Sequence, residues 1–265
     1  MPNDVALRDK DLGIWNETSW KDYNQKVSEL AIGLNSAGFR KGDVLALIGD
    51  NKPAWVFFEI AAQANGGMSL GIYRDTLDEE VSYLVKGANV KYAFAEDQEQ
   101  VDKFINVQKK LKRKIKIFYE DGRGLKQLND PNIIDMKSLM KDGKKILDKS
   151  PKKYDNMINS IEGNLNAILC TTSGTTSNPK LATLPANKFI QHIANYLKVD
   201  PKNSIDEYVS VLPFPWIMEQ VYGVGFNLLS GMKVNFPENA DTAMDDLKEI
   251  GPSFMLGAPR LWEQI

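Results

Sequence analysis

VLALIGDNKPAWVFFEIAAQANGGMSLGI, residues Val44 to Ile72, decides the fold class. Val44 to Ile48 is wholly apolar and short, as a strand buried on both faces must be. Pro53 suits the first turn of a helix, because its missing N–H is not needed there, and Gly66-Gly67 ends that helix. Met68 to Ile72 is then the next strand. Upstream, Ser19 opens an amphipathic helix with Trp20, Tyr23, Val27, Leu30, Ala31 and Leu34 on one face and Gly38 as its cap. Downstream, Thr76 and Glu79 stand at capping-box spacing ahead of Val81, Tyr83 and Leu84. Lys91 to Ala95, a charged helix, and Ile115 to Tyr119 repeat the alternation. Strand and helix units in this order imply an α/β fold: mostly parallel sheets flanked by helices, joined by right-handed crossovers.

Beyond this first α/β unit, about residues 18–120, the pattern weakens. Residues 121–166 are rich in Lys, Asp and Asn, with one amphipathic stretch from Met136 to Leu147, and read as a surface excursion. Alternation resumes over residues 167–265, a second α/β unit. Its expected elements are strands at Ala167–Thr171, Tyr208–Leu212, Lys233–Phe236 and Ser253–Leu256, with helices at Asn187–Leu197, from Glu219 and at Asp241–Ile250. A last helix starts at Pro259 and is left without a capping signal at Ile265, so the chain reads as an incomplete N-terminal portion.

Composition sets further limits. With 43% hydrophobic and 26% charged residues and a formal net charge of -2, the 265-residue chain resembles an ordinary globular protein and gives no reason to expect a nucleic-acid partner. One cysteine, Cys170, excludes an intrachain disulfide and fits a reducing cytoplasm. The N-terminal residues lack the apolar core of a signal peptide, and no stretch approaches the ~20 apolar residues of a membrane span. Peripheral contact with a membrane surface stays compatible with these patterns, and oligomeric state is left open.

The chemistry concentrates in TTSGTTSNPK, Thr171 to Lys180. It packs five hydroxyl side chains from Thr171 to Thr176 around Gly174, with a lysine four residues on. Phosphate binding needs such parts: close backbone N–H groups, hydroxyl donors and a cation. A hydroxyl can also ligate Mg²⁺, which prefers oxygen. No Walker A pattern can be laid over the stretch. The same residue types also favour a plain polar turn. The apolar strand before it argues for a ligand loop, since α/β sheets bind ligands beyond the carboxyl ends of their strands.

TTSGTTSNPK resembles the phosphate loop of the adenylate-forming, or AMP-binding, superfamily. Residues Thr18 to Gly67 resemble the opening of bacterial long-chain fatty acyl-CoA synthetases. So do EDQEQVDK (Glu96 to Lys103), LPFPWIMEQ (Leu212 to Gln220) and APRLWEQI (Ala258 to Ile265). The resemblance implies that Thr172, Ser173, Gly174, Thr175, Thr176 and Lys180 contact the phosphates of ATP, with Thr175 helping to hold Mg²⁺. It implies activation of a fatty acid to an acyl-adenylate and transfer to coenzyme A, with the catalytic groups of the C-terminal domain lying past Ile265. Two departures stand out. Ser177 replaces the usual glycine, and the residues after Lys180 lack the histidine common in relatives. Trp216 stands where many relatives have His, next to the expected acyl site. The alternatives are an amino-acid or aryl-acid adenylating enzyme and a non-catalytic nucleotide- or lipid-binding scaffold.

Other reactive residues have plainer readings. His192 fits a surface or packing position, Cys170 a buried inert thiol, and the clusters Lys109–Lys114 and Lys144-Lys145 solvated faces. Glu219 reads equally as a functional or a helix-face residue. Arg260 lies near the segment that resembles a pocket wall.

Overall fold

The computed structural model describes residues 1–172, 179–257, 262 and 263. Strands β1 (Val5–Asp11) and β2 (Ile14–Ser19) lead into helix α1 (Trp20–Ser36). Then follow β3 (Val44–Ile48), α2 (Pro53–Gln63), β4 (Met68–Ile72), α3 (Asp78–Gly87) and β5 (Tyr92–Ala95). Next come α4 (Gln98–Leu111), β6 (Lys116–Tyr119), β7 (Ile133–Asp135), α5 (Met136–Lys149) and α6 (Lys153–Asn159). Strands β8 (Asn166–Thr172) and β9 (Lys180–Pro185) precede α7 (Ala186–Val199), β10 (Glu207–Val209) and α8 (Ile217–Glu219). A π-helix (Gln220–Phe226), α9 (Asn227–Ser230), β11 (Lys233–Phe236) and α10 (Ala243–Ile250) complete the described elements.

Two compact units divide the chain, and neither is one continuous segment. The first comprises residues 1–24, 50–53 and 188–265; the second comprises residues 25–49 and 54–187. The blocks read from the sequence (18–120, 121–166 and 167–265) differ from this division, because β8 and β9 join the sheet built by the earlier strands.

The larger unit carries a seven-stranded sheet in the order β7-β6-β5-β3-β4-β8-β9. All pairings are parallel except β8 with β9. Every residue of β3 is buried, which explains the unbroken apolar run. Val81, Leu84 and Val85 of α3 and Val101, Phe104 and Val107 of α4 cover one face of the sheet in a single apolar cluster. Phe58 of α2 stacks on Phe94 and Phe118 at 4.5 and 5.8 Å between ring centres. Burial of each such side chain stabilises by roughly 1.5–3 kcal/mol.

Helix ends follow the glycines. Gly38 has φ +105°, and the N–H groups of Gly38 and Phe39 close on the Asn35 and Leu34 carbonyls. Gly66, at φ +71°, ends α2 the same way, with Gly66 and Gly67 bonding Gln63 and Ala62. These are Schellman caps, which satisfy the last carbonyls of a helix.

Residues 121–166 supply the edge strand β7 and the helix α5, which closes on α1 through glycines. A Cβ on Gly33 would lie 2.6 Å from the Leu139 carbonyl oxygen, and one on Gly143 would overlap the Glu29 carbonyl oxygen.

The smaller unit carries the sheet β10-β11-β1-β2, parallel except between β1 and β2. Lys10 of β1 bonds Asp246 at 2.8 Å and Glu249 at 2.5 Å, both on α10.

Three expectations need correction. The capping box at Thr76 does not form: α3 starts at Asp78 with Leu77 at its N-cap and no side-chain cap. Its first turn carries Asp78, Glu79 and Glu80 instead, which favours the positive end of the helix dipole. Ser253–Leu256 is not a strand; Ser253 instead exchanges hydrogen bonds with Glu207 at the start of β10. The helix expected at Asn187–Leu197 is present as α7, but it is not the next element after the TTSGTTSNPK loop: strand β9 intervenes, so the loop joins two antiparallel strands. The final helix expected from Pro259 and the position of Arg260 lie largely outside the described residues.

Candidate functional site

The hydroxyl-rich loop sits at the carboxyl end of β8, which runs parallel to β4. Thr172, the last residue of β8, is the register partner of Lys180, the first residue of β9. The Thr172 hydroxyl lies 3.5 Å from the Lys180 carbonyl oxygen. Both side chains are exposed. The two strands therefore form a neck that brings the first and last of the expected phosphate contacts side by side. Among the described residues, no carboxylate pairs with the Lys180 ammonium, so the cation is available to an anionic ligand. Ser173, Gly174, Thr175, Thr176 and Ser177 lie outside the described residues, the Mg²⁺ assignment to Thr175 with them. Among the described residues, no group of three or more His, Cys, Asp or Glu is arranged to hold a metal.

Cys170 is buried in β8, and burial together with nearby Glu59 pushes its thiol up to about 11. That keeps it protonated and inert at neutral pH. His192 is exposed on α7, its ring edge-on to Tyr196 at 5.1 Å. Both match their plainer readings.

The smaller unit holds a polar cluster that no spacing in the sequence announces. After β10 the chain continues as Leu212-Pro213-Phe214-Pro215-Trp216. Prolines carry no N–H, so Pro213 and Pro215 cannot extend a sheet ladder. Side chains bond the intervening backbone instead. Asn51 donates to the Leu212 carbonyl at 2.6 Å and accepts from the Phe214 N–H at 3.2 Å. Gln220 donates to the Phe214 carbonyl at 3.0 Å. The Leu212 backbone acts on the Glu219 carboxyl as well, in the lowering direction.

Glu219 is fully buried and is not a helix-face residue. The Tyr208 hydroxyl donates to one of its oxygens at 2.6 Å and the Ser210 hydroxyl to the other at 2.5 Å. Ser210 in turn accepts from Asn51 at 2.7 Å. Desolvation raises the Glu219 carboxyl from its ordinary 4.5 to about 7, against the lowering by Ser210, Tyr208 and the Leu212 backbone. Directly after it the backbone widens into the π-helix, a geometry that is rare and recurs at functional sites. A Cβ on Gly223 of that π-helix would stand 2.6 Å from a Glu219 oxygen.

Trp216 caps the N-terminus of α8 through its backbone and is 41% exposed, so it is not a core residue. Sequence reasoning singled out Trp216 and left Glu219 undecided. It missed Asn51, Tyr208 and Ser210 as partners, because Asn51 reads as a turn residue and the other two as strand positions.

The family model described as AMP-binding enzyme matches residues 1–265. The chain belongs to the AMP-binding enzyme family. Relatives of this AMP-binding chain include the long-chain-fatty-acid–CoA ligase ACSBG1 of Bos taurus, 27% identical over 98% of this chain and 36% of that protein. Homo sapiens ACSBG1 is also 27% identical, again over 98% of this chain and 36% of its own length. The chain thus spans little more than a third of these relatives. Among solved structures, an anthranilate CoA ligase, AuaEII, in complex with anthranoyl-AMP superposes with a TM-score of 0.81. It covers 97% of this chain and 47% of its own at 16% identity. An acyl-CoA synthetase of Brucella canis gives 0.75 at 18% identity, covering 97% of this chain and 45% of its own. At these identities the likeness extends to the fold of AMP-binding enzymes.

Proposed function

We propose that the protein carrying these residues activates a long-chain fatty acid with ATP and transfers it to coenzyme A. A carboxylate oxygen attacks the α-phosphorus of ATP, the bond to the β-phosphate bridging oxygen breaks, and pyrophosphate leaves. The CoA sulfur then attacks the acyl carbonyl and AMP leaves. The observation that carries the reading is the neck of β8 and β9, which pairs an exposed hydroxyl with an exposed ammonium, unpaired among the described residues, at the ends of a hydroxyl-rich loop. Such groups favour the charge on the pyrophosphate as it departs. Mg²⁺ would neutralise phosphate charge there, held in part by Thr175. The family match and the fatty-acid ligases among the relatives support the substrate class.

The amino-acid or aryl-acid reading draws on solved neighbours, the anthranilate ligase among them. ATP–pyrophosphate exchange with palmitate, anthranilate and aspartate offered separately distinguishes the two. Palmitate is expected to drive exchange, and preference for either other acid would overturn the fatty-acid assignment. Trp216, half exposed after two prolines, is the residue placed against the acyl chain. Trp216→Ala should change the relative kcat/KM across C8 to C18 acids while KM for ATP stays constant. Each methylene gained or lost from an apolar wall counts for about 0.8 kcal/mol. An unaltered chain-length profile would remove Trp216 from the site.

A further inference from the structure

Three backbone groups of Leu212 and Phe214 are bonded by two side chains, those of Asn51 and Gln220. The segment they hold ends in Trp216, whose carbonyl accepts from the Gln220 N–H at 3.2 Å. We propose that Glu219 is a positioning residue: through Ser210 and Asn51 it sets the backbone of Leu212–Trp216 and thereby the orientation of the Trp216 ring. The substrate consequence rests on the reading of Trp216 as an acyl-site residue; the conformational one does not.

The hydrogen-bond inventory explains why a carboxylate is needed. Ser210 Oγ accepts from Asn51 and so turns its own proton toward Glu219. Tyr208 supplies a second donor, to the other oxygen. An ionised carboxylate accepts both; a protonated one carries a donor of its own and must displace one of them. Tyr208 has a flexible hydroxyl that can turn round to accept, whereas Ser210 cannot without releasing Asn51. Protonation of Glu219 therefore falls on the Tyr208 side, and the neutral carboxyl is a weaker acceptor for Ser210 than the carboxylate, which loosens the Ser210–Asn51 link to Leu212 and Phe214.

The other titratable groups facing this cluster are Tyr208 on β10 and, beyond it, Tyr222 in the π-helix. Burial raises both phenols, so they stay neutral through the physiological range. Arg8, Glu207 and Lys233 on the adjoining strands pair among themselves. Glu219 is thus the member of the cluster whose charge changes near neutrality.

The test labels the chain with 5-fluorotryptophan and follows ¹⁹F spectra from about pH 5.5 to 8.5, in a His192→Gln background to remove the single imidazole. Loss of one signal in Trp216→Phe assigns the reporter. Its resonance is expected to move with a midpoint near 7 and to stay flat in Glu219→Gln. A Trp216 resonance that does not move, or that moves identically in Glu219→Gln, overturns the proposal. The titration without the Glu219 substitution decides the matter even where that variant fails to fold. In the active protein, Glu219→Gln should shift the ratio of kcat/KM between C8 and C18 acids by roughly threefold or more with KM for ATP unchanged. If no fatty acid is activated at all, the proposed function fails while the spectroscopic result stands by itself.

Discussion

Replacing Glu219 by Gln should flatten the dependence of stability on pH. The folded carboxyl lies near 7 and the unfolded one at 4.5, so the native state holds its proton more tightly. The stabilisation linked to that proton is complete below about pH 4.5 and is lost as pH rises through 7. The full loss is roughly 3 kcal/mol at ~1.4 kcal/mol per pH unit of difference. Between about pH 5 and 8.5 most of it, roughly 2–3 kcal/mol, is recoverable. Glutamine has no proton to lose there, so the stability of Glu219→Gln relative to the parent should rise by that amount over the interval. Urea titrations at about half-unit steps measure it, and thermal scans should show the Tm gap moving by about 5–10 °C. The absolute stability of the variant is not at issue, since its amide also rearranges the bonds to Tyr208 and Ser210. Parallel curves for the two proteins would refute the reasoning, because they would mean that Glu219 titrates alike in the folded and unfolded chains.

Four further outcomes follow from other parts of the molecule. Lys180→Ala should weaken ATP binding by roughly tenfold to a hundredfold, the equivalent of about 1.5–3 kcal/mol for a charge-assisted bond, with little change in Tm because the side chain is exposed; equal affinities by calorimetry would return the loop to a plain turn. Gly143→Ala should cost about 1–3 kcal/mol through overlap with the Glu29 carbonyl, net of up to ~1 kcal/mol of helix propensity. Gly87→Ala, whose Cβ would stand 3.6 Å from Leu181 Cδ1, should be neutral or stabilising, and the same denaturation series tests both. Leu12→Asn should stabilise by about 1 kcal/mol, because Leu12 (φ +49°) and Gly13 (φ +76°) form a two-residue turn that favours Asn-Gly, and Leu12 is 84% exposed; a drop in Tm would contradict this.

What was legible in the sequence was whatever local chemistry dictates. The bounds of β3 and β4 follow from an all-apolar run closed by Gly66-Gly67, and α2 begins at Pro53 as its ring requires. The β1–β2 hairpin escaped notice because Leu12-Gly13 is not a usual turn pair and the strands carry charges at Arg8, Asp9, Lys10 and Asp11. Lys10 is an example: its charge is matched by α10, more than 230 residues away in the chain. β9 was hidden for another reason. As an edge strand with mixed burial it shows neither alternation nor an apolar run, and it ends in a proline. The TTSGTTSNPK motif marked the loop, while LPFPWIMEQ marked Trp216 and Glu219 but not the partners Asn51, Tyr208 and Ser210. The members of the Glu219 cluster come from three separate stretches, and only folding assembles them around one buried carboxyl.

The pairing of β1 with β11 also has a consequence for synthesis. Leu7, Arg8 and Asp9 hydrogen-bond alongside Val234, Asn235 and Phe236, so β1 waits for more than 220 further residues to be made before it has its parallel neighbour. The seven-stranded sheet has all its strands once Pro185 has emerged. A nascent chain stalled between these two points would carry a finished larger sheet beside an orphaned β1–β2 hairpin, with Ala6 and Leu7 uncovered. Such a hairpin is an open edge for wrong partners, and chaperone capture of this protein should concentrate in that window.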